Sequence, residues 1–310
     1  MPCFNHESFV VKAISSVLNQ TWNDLELIVV DDCSKDDSVQ LARTVSRSDS
    51  RLKLLVHETN SGASASRNDA LSQASGEFIA FCDADDMWKS DKLQKQMDLL
   101  RANPQFDLAY CDSEFIDERD QPNGELFSHQ FPPPSSPSGD LFLKLCFTNF
   151  INMQTVLVRR TGLGSRLLFD GQIRWVEDWW LWICLSQHHK FLYDPAPLAL
   201  YRVHPNSSNR RQKVGIARHR WKVTKRILRT CHALPSTVKA RLWYQAAIEL
   251  DSLKHHCFAR RSFGRSLSYS LAGANPGQAA KSAFRYLQSI AGCATSSPFS
   301  QGLVRQPLCI

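Results

Sequence analysis

The chain has 310 residues and a formal net charge of +7 at pH 7, with 43% hydrophobic and 22% charged residues. This composition is close to the globular average and excludes intrinsic disorder for most of the chain. No run of 18 apolar residues occurs, which excludes a membrane-spanning helix. The ten cysteines form no Cys-x-x-Cys pair, which argues against a structural zinc site and favours reduced thiols in the cytoplasm.

The first part of the chain alternates helix and strand patterns. Helices are predicted at 7–19, at 34–45 with Ser34 as the N-cap, at 63–74 and at 90–101, and strands at 25–30, 52–56, 78–82 and 108–111. This alternation predicts an α/β fold with a mostly parallel central sheet flanked by helices, similar to a Rossmann fold. Such a domain normally opens with a strand. Because the first predicted helix follows the start of the sequence so closely, we expect the first strand to be missing.

Proline-rich residues 121–139 predict a loop. A helix near 140–146, a strand near 154–159, a tryptophan-rich segment at 175–182 and two strands near 191–193 and 199–203 are expected to follow. From residue 209 the pattern is that of basic helices. We therefore expect a catalytic domain at 1–208 and a basic, mainly helical region at 209–310.

Charge is distributed unevenly along the chain. Residues 1–125 carry a net charge of −11, and residues 209–310 carry +16. Within 209–265 the acidic residues are Glu249 and Asp251, against 15 lysines and arginines. A cationic helical face of this kind can contact anionic lipid or a partner protein, or can simply be solvated. Nucleic acid is not expected as a partner, because no recognised nucleic-acid-binding module is present.

Acidic residues follow two of the predicted strands at the point where each strand ends. Asp31 and Asp32 end one apolar strand, and Asp83 and Asp85 end another. Ligands of open parallel sheets bind at the carboxyl ends of strands, so these side chains are expected to share a site. Asp83 and Asp85 stand two positions apart and can face one pocket, where their oxygens suit Mg²⁺ or Mn²⁺. The alternative is that each Asp only begins a turn.

Two further groups of polar residues belong to the candidate site. Arg67 lies on a strand-to-helix connection after the turn Asn60-Ser61-Gly62, where a cation can meet a nucleotide or diphosphate. Glu177 and Asp178 lie among four tryptophans, which favours a desolvated carboxylate with a raised pKa, as a general base requires. The pair is equally typical of an acidic helix N-terminus beside core tryptophans, and the residues alone leave both interpretations open.

Together these segments resemble those of the family-2 glycosyltransferases, inverting enzymes of the GT-A fold. The matching segments occur in the family's order across residues 1–208 and are Pro2-Cys3-Phe4-Asn5, residues 15–20 (SSVLNQ), residues 29–34 (VVDDCS), Asn60-Ser61-Gly62, Arg67-Asn68, Asp83-Ala84-Asp85-Asp86, Glu177-Asp178 and Tyr201-Arg202-Val203-His204. Each segment is a weak signal alone, and the set is specific.

The resemblance implies a transferase that moves a sugar from a nucleotide sugar, by family habit a UDP-sugar, to a hydroxyl of a glycan or lipid-linked acceptor in polysaccharide synthesis. Matched by position, Pro2 and Phe4 would line the nucleotide pocket and Asp32 would bind the base. Arg67 would lie beside the nucleotide, and Asp83 would contact the ribose.

The same resemblance implies roles in catalysis and metal binding. Asp85, the second acid of a DxD motif, would coordinate a divalent metal, Mn²⁺ or Mg²⁺. His204 would approach the diphosphate or the metal. Asp178 would be the catalytic base, with Glu177 beside it in the acceptor site. Acceptors of this kind would place the protein in the cytoplasm, with the 209–265 face against the inner side of the membrane.

The sequence departs from the family pattern at two points. The glycine that usually follows the first acidic pair is Cys33 here, and the first strand is expected to be absent. Two other functions therefore remain open. One is a nucleotidyltransferase, although its glycine-rich phosphate loop is missing and Glu177-Asp178 would have no role in it. The other is a non-catalytic protein that binds sugar nucleotides or acts as a scaffold.

Overall fold

The structure is a computed structural model, and it describes residues 1–160, 168–205, 207, 212–231, 234–252, 256–273 and 275–291. The chain divides into two units. The first comprises Met1–Gln172 and Glu177–Ser207, and the second comprises Ile173–Val176 and Ser208–Ile310. These two units are defined by contacts alone. The assignment of catalysis to residues 1–208, and of a separate basic region to residues 209–310, stays a prediction.

The first unit alternates strands and helices through most of its length. In chain order its elements are β1 (Pro2–Cys3), α1 (Val10–Leu18), β2 (Leu27–Asp31), α2 (Ser38–Ser48), β3 (Leu52–Val56), α3 (Ala63–Gln73), β4 (Phe78–Ala80), β5 (Met87–Trp88), α4 (Lys92–Ala102), β6 (Leu108–Ile116), β7 (Pro122–Leu126), α5 (Phe127–Gln130), α6 (Phe142–Leu145), a 3₁₀ turn (Met153–Thr155), β8 (Val156–Arg159), α7 (Glu177–Ser186) and β9 (Phe191–Arg202).

The strands form two sheets. One has the order β1-β2-β3 and is parallel throughout, as the βα alternation predicts. The other has the order β4-β8-β6-β9-β5, with β7 also paired to β6. In this second sheet β6 and β9 are parallel and the other pairs are antiparallel. The expected parallel arrangement therefore holds for the first three strands, and the sheet structure as a whole is mixed.

The first strand is short rather than missing, which corrects the expectation from the sequence. Pro2 pairs with Val30 and Cys3 with Asp31, in parallel with β2. The amino group of Met1 donates a hydrogen bond to the backbone oxygen of Ile28 at 2.8 Å. Burial lowers the pKa of that amino group to about 6.

A cavity of about 460 Å³ lies beside Met1. It is lined by residues of β2, α3 and β4 and by none of the predicted site acids.

Three local expectations are wrong. Residues 121–139 are not all loop, because β6 continues to Ile116 and pairs there with β7. The two short strands expected near 191–203 are the single strand β9, whose Pro197 is accommodated where the register shifts opposite Asp112. Ser34 does not cap α2, since its hydroxyl donates to Asp31 at 2.6 Å and the helix begins at Ser38.

The core of the first unit lies against the parallel strands. Helix α1 buries one face, made of Val10, Ala13, Ile14, Val17 and Leu18. These side chains pack with those of β2 and of α4, including Val29 and Leu100. Truncating a core residue such as Ile14 to alanine is expected to cost about 2–5 kcal/mol of stability. This packing holds the carboxyl ends of the strands, and the loops after them, in fixed positions.

The second unit is mainly helical in its described residues. Its helices are α8 (Lys213–Thr230), α9 (Ser236–Ser252), α10 (His256–Ala272) and α11 (Pro276–Ala291). Small residues allow close packing, and the hydroxyls of Ser266 and Ser282 lie 2.8 Å apart. No described helix is both long and apolar enough to cross a membrane. Residues 292–310 and Leu253, which belong to the predicted basic region, lie outside the described residues.

Candidate active site

Asp32 lies in the turn after β2, where its carboxylate fixes the next strand-to-helix connection. Its Oδ1 accepts a hydrogen bond from the backbone N–H of Ser61 at 2.7 Å and contacts Nδ1 of His57 at 2.8 Å. Its Oδ2 accepts from the backbone N–H of Gly62 at 2.7 Å. Burial by itself raises the pKa of Asp32, but these contacts outweigh burial and leave the pKa lowered. Asp32 therefore holds the start of α3, the helix that carries Arg67.

The residue after Asp32 adopts a left-handed backbone conformation. Cys33 has a φ angle of 66°. Glycine enters this region freely, whereas other residues pay about 1–2 kcal/mol. The turn is closed by Ser34, whose backbone N–H donates to Oδ1 of Asp31 at 2.8 Å. The backbone angle gives the physical reason why the matching segment of the family usually has glycine at this position.

Arg67 joins acids from two distant parts of the first unit. Its buried guanidinium donates from Nη2 to Oδ1 of Asp83 at 2.7 Å and from Nη1 to Oε1 of Glu177 at 2.8 Å. The ring of Phe169 lies 5.3 Å from the guanidinium carbon. Burial alone lowers the pKa of Arg67, but the two carboxylates raise it above its usual value. Arg67 thus stays charged and holds the strand-end acid beside the acid of α7.

Asp85 and His204 meet at the same edge of the sheets. Nε2 of His204 lies 3.1 Å from Oδ2 of Asp85. His6 adds a third side chain, and the ligand atoms of the three lie within 4.8 Å of one another. Burial by itself raises the pKa of Asp85, but the two imidazoles lower it below its usual value. Carboxylate and imidazole are both ligands of divalent metals, so these residues fit such an ion.

Asp86 and Arg202 are buried beside that group and tie it to β9. Oδ1 of Asp86 accepts the backbone N–H of Arg202 at 2.7 Å, and Nε of Arg202 donates to the backbone oxygen of Asp85 at 2.7 Å. Burial, followed by the charges of Asp85 and Asp83, raises the pKa of Asp86 well above its usual range. Because His204 stands two residues after Arg202, these bonds also fix where β9 delivers His204.

Glu177 and Asp178 form the first turn of α7 and are partly exposed. Oδ2 of Asp178 accepts a hydrogen bond from Nδ2 of Asn149 at 3.0 Å, and Oδ1 accepts the backbone N–H of Trp179 at 2.7 Å. Loss of hydration, followed by the charge of Glu177, raises the pKa of Asp178 to about 7, although these hydrogen bonds and Arg67 oppose the rise. A carboxyl group that titrates near neutrality can accept a proton from a hydroxyl.

The structure brings most of the predicted site residues together. Asp83, Arg67 and Glu177 form one chain of ion pairs, and Asp178 is adjacent to it in α7. Asp85 and His204 form a second group. Pro2 and Phe4 lie at the start of the chain. Pro2 is in β1, and Phe4 follows that strand with 42% of its surface exposed. Asp32 connects to this arrangement through the start of α3.

Two residues of the site were not predicted from the sequence. His6 lies in the loop between β1 and α1, and Asn149 lies between α6 and the 3₁₀ turn. Neither stands at a strand end or at a spacing typical of metal ligands. His6 is a neighbour of the matched segment Pro2-Cys3-Phe4-Asn5, and that position was the available signal for it.

Comparisons with known proteins identify the family to which this chain is similar. The family model described as Glycosyl transferase family 2 matches residues 1–157. The chain is 36% identical over 185 residues to the UDP-Glc:alpha-D-GlcNAc-diphosphoundecaprenol beta-1,3-glucosyltransferase WfgD of Escherichia coli, covering 60% of this chain and 67% of that one. It is 30% identical over 227 residues to a Bacillus subtilis protein named "Putative teichuronic acid biosynthesis glycosyltransferase TuaG", covering 73% and 82% respectively.

A solved structure shows the same fold. The crystal structure of S. aureus TarS 1-349 in complex with UDP-GlcNAc matches with a TM-score of 0.65 at 18% sequence identity. The match covers 97% of this chain and 90% of that one.

Proposed function

This chain belongs to glycosyl transferase family 2 and has the GT-A fold, and from that premise we propose an inverting transfer of a sugar from a nucleotide sugar to an acceptor hydroxyl. The observation that carries the proposal is the bridge made by Arg67. It links Asp83, the acid proposed for the donor, to Glu177, the neighbour of the proposed base Asp178. This bridge supports adjacent donor and acceptor sites, which direct displacement requires.

The donor is proposed to be a UDP-sugar and the acceptor a glycan or a lipid-linked sugar. The name of WfgD specifies UDP-Glc as donor and a diphosphoundecaprenol-linked acceptor, and TarS is complexed with UDP-GlcNAc. The name of TuaG refers to teichuronic acid biosynthesis. These names support a role in polysaccharide synthesis.

Five residues are proposed to bind the nucleotide. Pro2 and Phe4 would line its pocket at the end of β1, where the ring of Phe4 is exposed. Asp32 would meet the base at the turn after β2. Asp83 would contact the ribose, with Arg67 beside the nucleotide. The ion pair between Asp83 and Arg67 supports these two roles, because it places a carboxylate acceptor and a cation together.

The proposed chemistry is one displacement at the anomeric carbon. Asp178 takes the proton of the acceptor hydroxyl as that oxygen forms a bond to the anomeric carbon from the face opposite the leaving group. The bond from the anomeric carbon to the diphosphate breaks, and the nucleoside diphosphate leaves with the electron pair. Asp178 suits this role because its pKa is raised to about 7, which makes it a stronger base than an ordinary aspartate.

Asp85 and His204 are proposed to hold a divalent cation, Mn²⁺ or Mg²⁺. Their 3.1 Å contact, with His6 close by, supports this assignment. When bound, such a cation neutralises charge that develops on the diphosphate. Arg202 and Asp86 keep the two ligands in position through the buried hydrogen bonds described above.

The direct test measures turnover of a panel of nucleotide sugars by the purified protein, with Mn²⁺ or Mg²⁺ and then with chelator. Metal-dependent turnover of one donor is expected, and it would name the sugar. Binding of a nucleotide sugar without any turnover would favour a non-catalytic binding protein. Release of pyrophosphate from a nucleoside triphosphate and a sugar phosphate would instead indicate a nucleotidyltransferase.

We also propose that residues 1–208 are the catalytic domain and that residues 209–310 form a basic, mainly helical region, whose 209–265 face holds the protein at the inner face of the membrane. Exposed Arg218, Lys222 and Arg229 support the membrane contact, because their spacing places three cations on one face of α8. Pelleting with phosphatidylglycerol vesicles at low salt is expected, and replacing all three residues with glutamine should weaken it.

A matched control replaces two exposed arginines of α2, Arg43 and Arg47, with glutamine. This variant should pellet like the wild type. If the protein does not bind anionic vesicles at low salt, the membrane proposal is wrong, and the cationic face of α8 is only a solvated surface.

A further inference from the structure

His6 belongs to the group formed with Asp85 and His204, yet none of the roles assigned above needs it. A ring nitrogen of His6, a ring nitrogen of His204 and a carboxylate oxygen of Asp85 all lie within 4.8 Å of one another. The three residues come from three different connections, which the fold brings to one point. Each of these groups costs hydration free energy when it is partly buried, and a bound cation would offset part of that cost.

The imidazole of His6 has no hydrogen-bond partner in the part of the chain that the structure describes. Its backbone N–H donates to the hydroxyl of Ser38 at 2.8 Å, so the residue is anchored by its main chain. Between ring centroids, the imidazole lies 6.5 Å from the ring of Phe9 and 6.2 Å from that of His204, at 79° to it. Both ring nitrogens are therefore available to a ligand.

The loop that carries His6 is held firmly on both sides. The backbone N–H of Asn5 donates to the hydroxyl of Ser34 at 2.8 Å, and Oδ1 of Asn5 accepts the backbone N–H of Lys35 at 2.8 Å. Glu7 makes two more hydrogen bonds with Asp36 and Asp37, each at 3.0 Å. These bonds fix the backbone before and after His6. The backbone position from which the imidazole extends is consequently set before any ligand binds.

We propose that His6 is a third protein ligand of the cation site, so that this chain binds a transition-metal dication without a nucleotide. The inference rests on the proposed function, in which Asp85 and His204 hold a divalent cation. Two imidazoles and one carboxylate form a ligand set that favours transition metals, whereas Mg²⁺ favours oxygen ligands and water. The order of affinity should be Co²⁺ above Mn²⁺, and both above Mg²⁺.

The test is calorimetric titration of the nucleotide-free, chelator-treated protein with CoCl₂, MnCl₂ and MgCl₂. One Co²⁺ should bind per chain, with a visible absorption band that reports its coordination. Two variants remove the imidazole of His6: His6→Ala, and His6→Gln, whose side chain is closer in size to histidine. Each should weaken Co²⁺ binding at least about 10-fold, because losing even a residue that only hydrogen-bonds to a metal ligand typically costs that much affinity. His188→Ala is the control, because His188 is exposed on the turn after α7.

Each outcome decides the inference. Unchanged Co²⁺ affinity in both His6 variants, with thermal stability like that of the wild type, overturns it. So does a wild-type protein that binds no metal until UDP is added, since His6 would then act on the phosphates. If nucleotide sugars are turned over while the His6 variants bind Co²⁺ normally, the proposed function survives and this inference fails. If His6-dependent Co²⁺ binding occurs without turnover of any nucleotide sugar, this inference survives and the proposed function fails.

Discussion

Asn149 donates a hydrogen bond from Nδ2 to Oδ2 of Asp178 at 3.0 Å, so an irregular segment 29 positions upstream supports the charged form of the proposed base. Without such donors, the loss of hydration at Asp178 would raise its pKa further. The pKa of Asp178, raised to about 7, is thus a balance between lost hydration and specific hydrogen bonds.

The rate of transfer should rise with pH with a midpoint near 7, because Asp178 must be ionised to accept the acceptor proton. Asn149→Ala removes a hydrogen bond that favours the ionised form, so its midpoint should lie at higher pH. The measurement is kcat/KM for the acceptor between pH 5 and pH 9. A midpoint that does not move in Asn149→Ala would assign the titration to another group.

Asp178→Asn should leave donor binding near normal and lower turnover at least ~100-fold, the usual scale for loss of a general base. Calorimetric binding of the donor and single-turnover rates test the two parts separately. A parallel loss of donor binding and of turnover would contradict the assignment of Asp178 as the base.

The same variant should change how stability depends on pH. The folded pKa of Asp178 is raised above its usual value of 3.8, so the unfolded chain loses this proton first. Stability contributed by this group therefore falls as pH rises from about 4 to about 7. The Tm of Asp178→Asn minus the Tm of the wild type should therefore be more positive at pH 8 than at pH 4. An equal difference at both pH values would show that Asp178 titrates normally.

Arg67→Lys should lower the free energy of unfolding, because one ammonium cannot replace a guanidinium that pairs with Asp83 and Glu177 at once. Breaking a buried ion pair typically costs about 3–5 kcal/mol of stability. Lysine can still form one of the two ion pairs, so the loss in Arg67→Lys should be smaller than this. Urea denaturation measures the loss. Adding Glu177→Gln should cost less in the Arg67→Lys background than in the wild type, since the unpaired charge is removed. Strict additivity would mean that the two residues do not interact.

Cys33→Gly should be more stable than Cys33→Ala by about 1 kcal/mol, because only glycine adopts a φ of 66° without strain. Both variants lose the thiol, which makes alanine the matched control. Thermal unfolding of the two proteins side by side provides the comparison. Equal stability would indicate that the turn relaxes to another conformation when the side chain is removed.

Asp86 and Asp85 are neighbours in the sequence but should respond differently to substitution. Asn at position 86 keeps an Oδ1 that can accept the backbone N–H of Arg202, so Asp86→Asn should retain the fold and metal binding. Asp86→Ala leaves that N–H unpaired and should cost about 1–3 kcal/mol. Asp85→Asn should instead keep stability and lose metal affinity. Calorimetry with Mn²⁺ and thermal unfolding distinguish the two patterns, and identical behaviour of the two Asn variants would contradict them.

Strong apolar patterns made the first half of the fold predictable. The runs that became β2 and β3 and the one-sided face of α1 are read directly from hydrophobic periodicity. Prediction failed where tertiary pairing decided the structure. β7 forms because β6 extends far enough to pair with it, and β9 remains one strand because a register shift accommodates Pro197. Neither event leaves a local signal.

The candidate site shows the same division. Acids at strand ends were predictable, because the carboxyl ends of parallel strands meet at one edge of a sheet. The bridge from Arg67 to both Asp83 and Glu177 was not, since sequence spacing says nothing about which cation lies between two distant carboxylates. The same holds for His6, whose partners stand many positions away.

The hydrogen bonds made by Asn5, His6 and Glu7 determine how this part of the molecule can open. The amide hydrogens of these residues are bonded to side chains in the segment 34–38, which ends at the first residue of α2, and that segment donates its own amides back at Lys35 and Asp37. Neither segment can expose these amides to solvent while the other stays closed. In deuterium exchange the two segments should therefore label together, at one shared rate, although about thirty positions of sequence separate them.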